Sequence, residues 1–327
     1  MNKTSLVITS IAAPNAAMKI YAEKCKELGF EFIVIGDVPS PKDFNLDGCK
    51  FLSIEEQRKL PFKLAKLLPE RHYSRKNLGY LLSKDSDVII ETDDDNFPKE
   101  NFWKKSFDGE SRTVNKKGWV NAYRYFTKEN IWPRGLPLEE IQNGSLLEET
   151  KMGKAITPIM QGLADENPDV DAVYRMTQKL PLNFEKNSSL VLGEGCWCPF
   201  NSQNTIWKKE AFPLLYLPSY CSFRMTDIWR SFIAQRIAWT CGWNVLFHEA
   251  DVWQERNEHS LLKDFQDEVP GYINNSKICR MLEDLDLKSG VENLGENLMR
   301  CYKMMVTERF IGENEITLLE NWLSEFN

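Results

Sequence analysis

Val88-Ile89-Ile90-Glu91-Thr92-Asp93-Asp94-Asp95 decides how this chain is read. The apolar, β-branched run predicts a strand, and three carboxylates stand where it ends. Side chains two apart on a strand share a face, so Asp93 and Asp95 are expected to point into one site. Carboxylates held that close repel one another and favour a bound cation. All-oxygen donors suit Mg²⁺ or Mn²⁺, ions that usually complete their coordination with substrate phosphates. A bare D-x-D also occurs as a solvated acidic turn before residues such as Asn96-Phe97-Pro98, so the weight falls on its surroundings.

Toward the N-terminus, Leu6 to Ile11 reads as a strand, and Ala16 to Leu28 as a helix stopped by Gly29. Glu31 to Ile35 reads as a second strand, followed by Gly36-Asp37. Strand, helix and strand at this spacing predict a parallel βαβ unit. In open sheets of that kind ligands bind beyond the C-terminal ends of the strands. Thr9, Ser10, Asp37 and the aspartate triplet are therefore expected along one edge of one sheet. Ser53 to Leu68 is a helical pattern broken at Pro61, and Ser74 is placed to cap a helix through Leu78, Leu81 and Leu82.

Toward the C-terminus, residues 106–160 are loop-rich, with Trp119, Trp132, Pro133, Gly135 and Pro137. Thr226 is placed to cap a helix running to about Cys241; Gly242 ends it, and Trp243 to His248 reads as a strand. Beyond Ser260 the strand signals fade. Lys277 to Leu285, Val291 to Thr307 and Glu315 to Phe326 read as amphipathic helices. The expected organisation is an α/β domain over residues 1–260 and a helical C-terminal extension over residues 261–327.

Composition is that of an ordinary globular protein, with 42% apolar and 27% charged residues in 327. No apolar stretch reaches the length that crosses a bilayer, and Leu6 to Ala13 is short and β-branched, a strand rather than a signal peptide. A net charge of −7 argues against nonspecific nucleic-acid binding. The eight cysteines are scattered, with no C-x-x-C pair and no zinc-site spacing. They read as reduced thiols, and a cytosolic compartment is expected.

In this acidic chain Arg58, Lys59, Lys63, Lys66, Arg71, Arg75 and Lys76 crowd around a single acid, Glu70. Arg58, Lys59, Lys63 and Lys66 read as a solvated basic face. Arg75 and Lys76 fall in the first turn of the expected Ser74 helix, where cations oppose the helix dipole at a cost of about 0.3–1 kcal/mol. A bound anion would offset that cost, so Arg75, Lys76 and Asn77 are candidates for a diphosphate site. The chain has no G-x-x-x-x-G-K-[ST], and Gly193-Glu194-Gly195 lacks the context of a dinucleotide fingerprint. Pro199-Phe200-Asn201-Ser202-Gln203-Asn204-Thr205 is amide-rich, which suits sugar hydroxyls and also closes turns. Asp227 falls in the first turn of a helix, where a carboxylate is stabilised in any case; Trp229 beside it can stack on a sugar or fill the core. His259, in the polar run that also holds Arg256, is the first candidate for a further metal or diphosphate ligand, and His248 the second.

In this order the pieces resemble the STELLO-type glycosyltransferase-like family. The segments that carry the likeness are Thr9-Ser10-Ile11, Val34-Ile35-Gly36-Asp37, Tyr73-Ser74-Arg75-Lys76-Asn77-Leu78-Gly79-Tyr80, Glu91-Thr92-Asp93-Asp94-Asp95-Asn96, the 199–205 run, and Thr226-Asp227-Ile228-Trp229-Arg230-Ser231. A weaker similarity, centred on the aspartates, is to the reversibly glycosylated polypeptides. The resemblance implies a GT-A-like fold, a Rossmann-like mixed α/β sheet flanked by helices, that binds a nucleotide sugar. It implies that Asp93 touches the ribose or the metal, with Asp94 alongside. Asp95 would ligate the metal, Mn²⁺ or Mg²⁺, and His259 would complete the site. Thr9, Ser10 and Asp37 would line the nucleoside pocket. Arg75, Lys76, Asn77 and Arg256 would face diphosphate, and Asp227 would be the general base. The function it implies is transfer from a nucleotide-sugar donor, a UDP-sugar, to a carbohydrate or glycoconjugate acceptor. The alternatives are a UDP-sugar mutase and a non-catalytic nucleotide-sugar-binding scaffold. The plant family members carry a membrane anchor that is not read in this sequence.

Overall fold

Alternating apolar residues at the N-terminus build the first part of a large mixed sheet. A computed structural model describes residues 3–103, 109–142, 149–257 and 260–326. Strands β1 (Thr4–Thr9), β2 (Glu31–Ile35), β3 (Lys50–Leu52) and β4 (Val88–Thr92) are parallel neighbours in the order β3-β2-β1-β4. Helix α1 (Ala16–Leu28) makes the β1–β2 crossover, capped by Asn15, whose side chain accepts from the Met18 N–H at 2.9 Å. It ends on Gly29 at φ 70°, the left-handed conformation glycine adopts without a Cβ penalty.

The sheet continues through strands from the middle of the chain. These are β5 (Asn96–Pro98), β6 (Ser111–Val114), β7 (Gly118–Trp119), β8 (Lys151–Gly153), β9 (Ile159–Asp165), β10 (Leu190–Leu192), β11 (Cys196–Trp197), β12 (Asn204–Lys208) and β13 (Val245–Gln254). Beyond β4 the order is β12-β9-β13-β10-β6-β8, with β5 paired to the end of β13 and β7 with β11 apart. Strand β12 runs antiparallel to both β4 and β9, whereas β9 and β13 are parallel. The C-terminal ends of β2, β1, β4, β9 and β13 and the start of β12 therefore share one edge. This is the mixed α/β sheet expected from the sequence.

The remaining helices are α2 (Ile54–Gln57), α3 (Leu64–Leu67), α4 (Lys76–Leu82), α5 (Ala172–Thr177), α6 (Thr226–Thr240), α7 (Leu261–Asp284), α8 (Leu294–Thr307) and α9 (Glu315–Leu323). One sheet face packs on α1 through Leu6, Ile8, Met18, Tyr21 and Val34. The other face shares a continuous core with α4, α6 and the C-terminal helices, joining Val7, Ile33 and Leu78 to Ile237, Ile278, Leu298 and Trp322. Gly79 permits α4 to sit directly on the sheet, since a Cβ there would meet Val7 Cγ1 at 2.4 Å.

Four local expectations change. Ser74 is not a cap: it lies in a 3-10 turn, Tyr73–Arg75, whose N-terminus is capped by the His72 ring, and its hydroxyl bonds His72 Nδ1 and Ser219. Helix α6 begins at Thr226 with no side-chain cap. Helix α7 starts well before Lys277 and runs through Pro270. Strand β13 likewise continues past His248, across an irregularity before Val252, because β5 and β9 pair its polar second half. Among the described residues no helix is long and apolar enough to cross a membrane.

Candidate active site

The shared strand edge opens into a cleft of about 760 Å³, within the range of small-molecule sites. Thr9, Ser10, Asp37, Arg75, Asp93, Asp94, Asp95, Asp227 and Arg256 all border it. The segments read as one site from the sequence are thus brought together, with the exceptions given below.

The aspartates form a turn between β4 and β5, each held differently. Asp94 accepts a hydrogen bond from the Ser10 hydroxyl, and its carbonyl takes Asn15 Nδ2 at 2.7 Å. Asp95 accepts from Gln254 Nε2 at 3.0 Å and Asn257 Nδ2 at 3.4 Å, just past the end of β13. Asp93 lies 3.6 Å from Lys76 Nζ. A third of the Asp93 side chain faces the cleft, yet the surrounding protein strips enough water that burial pushes its carboxyl up to about 7. Lys76 opposes that push, and Asp95 and Asp94 add to it. Asp94 and Asp95 are raised too, burial again first. Such crowding suits a hard cation shared between Asp93 and Asp95. Among the described residues no group of three or more His, Cys, Asp or Glu side chains stands at ligating geometry. A cation on these two carboxylates would complete its sphere with water and substrate oxygens, as Mg²⁺ commonly does. His259 lies outside the described residues. His248 is buried on β13 and does not border the cleft.

The strand β4 that presents the triplet is anchored beneath it. Glu91, fully buried, is gripped by Arg230 on α6 through bonds of 2.7 and 3.0 Å. Trp207 Nε1 donates to the same carboxylate at 2.8 Å, as does the Tyr80 hydroxyl. No polar atom of that carboxylate is left without a partner, which is what a buried charge requires.

The basic segment behaves differently from its expectation. The Arg75 guanidinium donates to Gln57 Oε1 at 2.7 Å and to the carbonyls of Leu68 at 3.0 Å and Pro69 at 3.3 Å. It organises the loop behind the cleft wall rather than pointing a free fork at a ligand. Lys76 has no exposed surface and donates to the carbonyls of Thr92 at 2.8 Å and Ser202 at 3.3 Å. Its charge therefore balances Asp93 from below. Asn77 does not border the cleft; its carboxamide pairs with both backbone groups of Leu217, at 2.8 and 2.9 Å. Burial in a helix that faces the core accounts for all three, since a desolvated polar group must find an internal partner. Asp37 accepts N–H groups from Arg71 at 2.8 Å and His72 at 2.9 Å, fixing that rim. In the amide-rich run only Ser202 and Gln203 reach the cleft; Asn201, Asn204 and Thr205 are buried in internal bonds. Trp229 is core, donating to Asn275 Oδ1 at 2.9 Å.

Asp227 borders the cleft but does not suit proton abstraction. Arg134 grips it through bonds of 3.0 and 2.9 Å, and the Ser202 N–H adds a third at 3.2 Å. Burial pushes the Asp227 carboxyl up, but Arg134 and then Arg230 overcome it and hold it at about 2. An effective base has a pKa near the working pH, whereas this carboxylate is held ionised and fixed by its arginine partner. Arg134 also makes a bidentate pair with Asp169 at 2.8 Å for each bond. Gly135, at φ 93°, lets this loop pack onto Ile228 at the start of α6.

Arg134, Asp169, Arg175 and Arg224 border the cleft and were not singled out in the sequence. They come from three separated segments, and the only local hint is the Trp132-Pro133-Arg134-Gly135 run, where a charge stands between a proline and a glycine.

Fold and cleft together define an α/β protein with a mixed sheet, an acidic turn at the ligand-binding edge and helices closing the C-terminus. Residues 224–327 match the family model described as STELLO glycosyltransferases. Two proteins of Arabidopsis thaliana, named probable glycosyltransferases STELLO2 and STELLO1, are each 29% identical across 91% of this chain and 41% of their own length. The chain thus spans about two fifths of the length of the curated relatives it matches. It is similar to the STELLO glycosyltransferases along most of its own length, the family its sequence segments resemble. Among solved structures, it is similar to glucosyl-3-phosphoglycerate synthase from Mycobacterium tuberculosis in complex with Mn²⁺ and uridine-diphosphate-glucose. That match has a TM-score of 0.41 and 9% identity, covering 84% of this chain and 79% of the other. A mannosyltransferase from Pyrobaculum calidifontis in complex with GDP-Man and Mn²⁺ matches with a TM-score of 0.41 and 8% identity, covering 99% and 86%.

Proposed function

We propose that this chain is a metal-dependent glycosyltransferase domain that takes a nucleotide-sugar donor, a UDP-sugar, and passes the sugar to an acceptor hydroxyl. The observation that carries the reading is the aspartate triplet itself, seated at the C-terminal edge of β4 in the cleft and tied by Asp94 to Ser10, just past the end of the neighbouring strand β1. The likeness to STELLO glycosyltransferases supports the class of chemistry.

Asp93 and Asp95 would hold Mn²⁺ or Mg²⁺, which when bound supplies charge stabilisation for the departing nucleoside diphosphate. Thr9, Ser10 and Asp37 line the side of the cleft nearest β1 and β2, where the nucleoside would sit. Lys76 keeps Asp93 from carrying an unbalanced charge before the donor arrives. Arg134 holds Asp227 and Asp169 still and, through the Ser202 N–H on Asp227, fixes the amide-rich loop that faces the sugar. The residues that touch the reacting groups are thereby positioned before binding, which lowers the reorganisation cost of the reaction.

The test is thermal unfolding with UDP, with and without Mn²⁺, followed by turnover of UDP-sugars. Ligand at 100 times its Kd stabilises the native state by about 2.7 kcal/mol. A Mn²⁺-dependent shift that disappears in Asp95→Asn, with loss of turnover on the order of 10²–10³-fold, is the expected result. Isomerisation of the donor without any acceptor would establish a mutase instead. Nucleotide binding with no turnover would establish a scaffold.

A further inference from the structure

The far end of the cleft is built from guanidinium groups. Along the shared strand edge the order is Asp37 after β2, Ser10 after β1, the aspartates after β4, Ser202 before β12, then Asp169 and Arg175 after β9 and Arg256 after β13. The aspartates therefore lie between the side that suits a nucleoside and the arginines. Three arginines at this end are matched by carboxylates. Arg134 pairs with Asp169 and Asp227, Arg224 with Glu268 at 2.9 Å, and Arg256 with Asp264 at 2.6 Å.

Arg175 is different. It donates to neutral acceptors only, the Pro168 carbonyl at 2.9 Å and Asn167 Oδ1 at 3.4 Å. Among the described residues it has no carboxylate at ion-pairing distance, and its buried Nε has no hydrogen-bond partner. Burial first, then the charge of Arg256 and after it that of Arg224, lower its pKa to about 9, against the opposing charges of Asp169 and Asp264 farther off. A guanidinium kept desolvated beside two others, with a donor left over, is an arrangement an oxyanion would complete, because the planar fork matches carboxylate and phosphate geometry. A neutral sugar hydroxyl needs no such charge.

We propose that Arg175, with Arg224 and Arg256 beside it, forms an anion subsite for the acceptor, so that the acceptor carries a phosphate or carboxylate group near its reactive hydroxyl. This rests on the glycosyltransferase reading and names its acceptor class. The Arg256 side of this subsite adjoins Asp95, which Gln254 and Asn257 bond at 3.0 and 3.4 Å, so competition with UDP separates an acceptor anion from the donor diphosphate.

The experiment is calorimetric titration of the full chain with inorganic phosphate and, separately, with malonate. Each is done alone and with UDP and Mn²⁺ held saturating. Binding of either anion in both settings, weakened at least tenfold in Arg175→Gln and less in Arg175→Lys, is expected, with UDP and Mn²⁺ affinity unchanged in both variants. Phosphate binding alone identifies a phosphorylated acceptor, and malonate binding alone a carboxylated one. Binding of neither anion, equal affinity in wild type and Arg175→Gln, or displacement of the anion by UDP overturns the proposal; displacement would assign the arginines to the donor. Should UDP and Mn²⁺ fail to bind while anion binding still depends on Arg175, the nucleotide reading falls and the anion subsite stands. Melting curves of both variants confirm that each is folded.

Discussion

The two ends of the cleft are built in opposite ways. The acidic end comes from a contiguous triplet delivered by one strand, and its neighbours Thr9 and Ser10 lie at the end of the adjacent parallel strand. The basic end is assembled from Arg134, Arg175, Arg224 and Arg256, which no periodicity or motif connects. The acidic end concentrates like charge that a cation relieves. The basic end interleaves arginines with Asp169, Asp227, Asp264 and Glu268, leaving Arg175 without such a partner among the described residues. A site can thus be half local and half tertiary, and the halves respond differently to mutation.

The largest expected effect is at the foot of the acidic end. Arg230→Met leaves Glu91 buried without its cation, and losing one partner of a buried pair costs about 3–5 kcal/mol. Chemical denaturation measures it, and a loss below about 1 kcal/mol, the scale of an exposed ion pair, would show that β4 does not depend on this anchor. Next comes Asp227→Asn, which sharpens the comparison at the basic end. As a fixed anion whose loss leaves Arg134 still paired to Asp169, it should cost about 1–3 kcal/mol in stability and reduce turnover by less than about tenfold. Loss of a general base would instead cost about 10²–10⁴-fold, and kinetics at saturating donor decides between them. Asn77→Ala follows, with the Leu217 backbone groups left unpaired at about 1–3 kcal/mol. UDP affinity should be unchanged, and a weakened affinity would return Asn77 to the donor site.

A further effect is pH dependence at the acidic end. Burial, with Asp95 and Asp94 adding to it, raises Asp93 to about 7. Between about pH 4 and that value the folded protein holds a proton the unfolded chain has released. The associated stability is present at low pH and lost as pH rises through about 7. The metal-free melting temperature should therefore fall from about pH 5 to pH 8, more steeply in wild type than in Asp93→Asn, and Mn²⁺ should restore it at the upper end. Equal slopes in the two proteins would remove Asp93 as the source.

Much of the acidic half was legible because strand period and charge repulsion are local. The β4 run, the helix stop at Gly29 and the shared edge of Ser10 and Asp37 follow from residues close in sequence. Arg75, Lys76 and Asn77 show where that reasoning ends: the sequence placed three polar residues on one helix start, and burial turned each toward an internal acceptor. Ser74 is not the cap because the His72 ring, on a residue whose backbone N–H is held by Asp37, supplies the acceptor instead.

By itself, then, the sequence determined the parallel βαβ start, the acidic turn and the C-terminal helices, all set by backbone preference and hydrophobic period. Only the tertiary structure decided which charges meet. Arg134 and Asp227 are far apart in the chain, and their bidentate pair exists because Gly135 lets one loop pack on the first turn of α6. That contact holds Asp227 as a paired anion, since a carboxylate's basicity is set by the charges and water around it rather than by its place in the sequence.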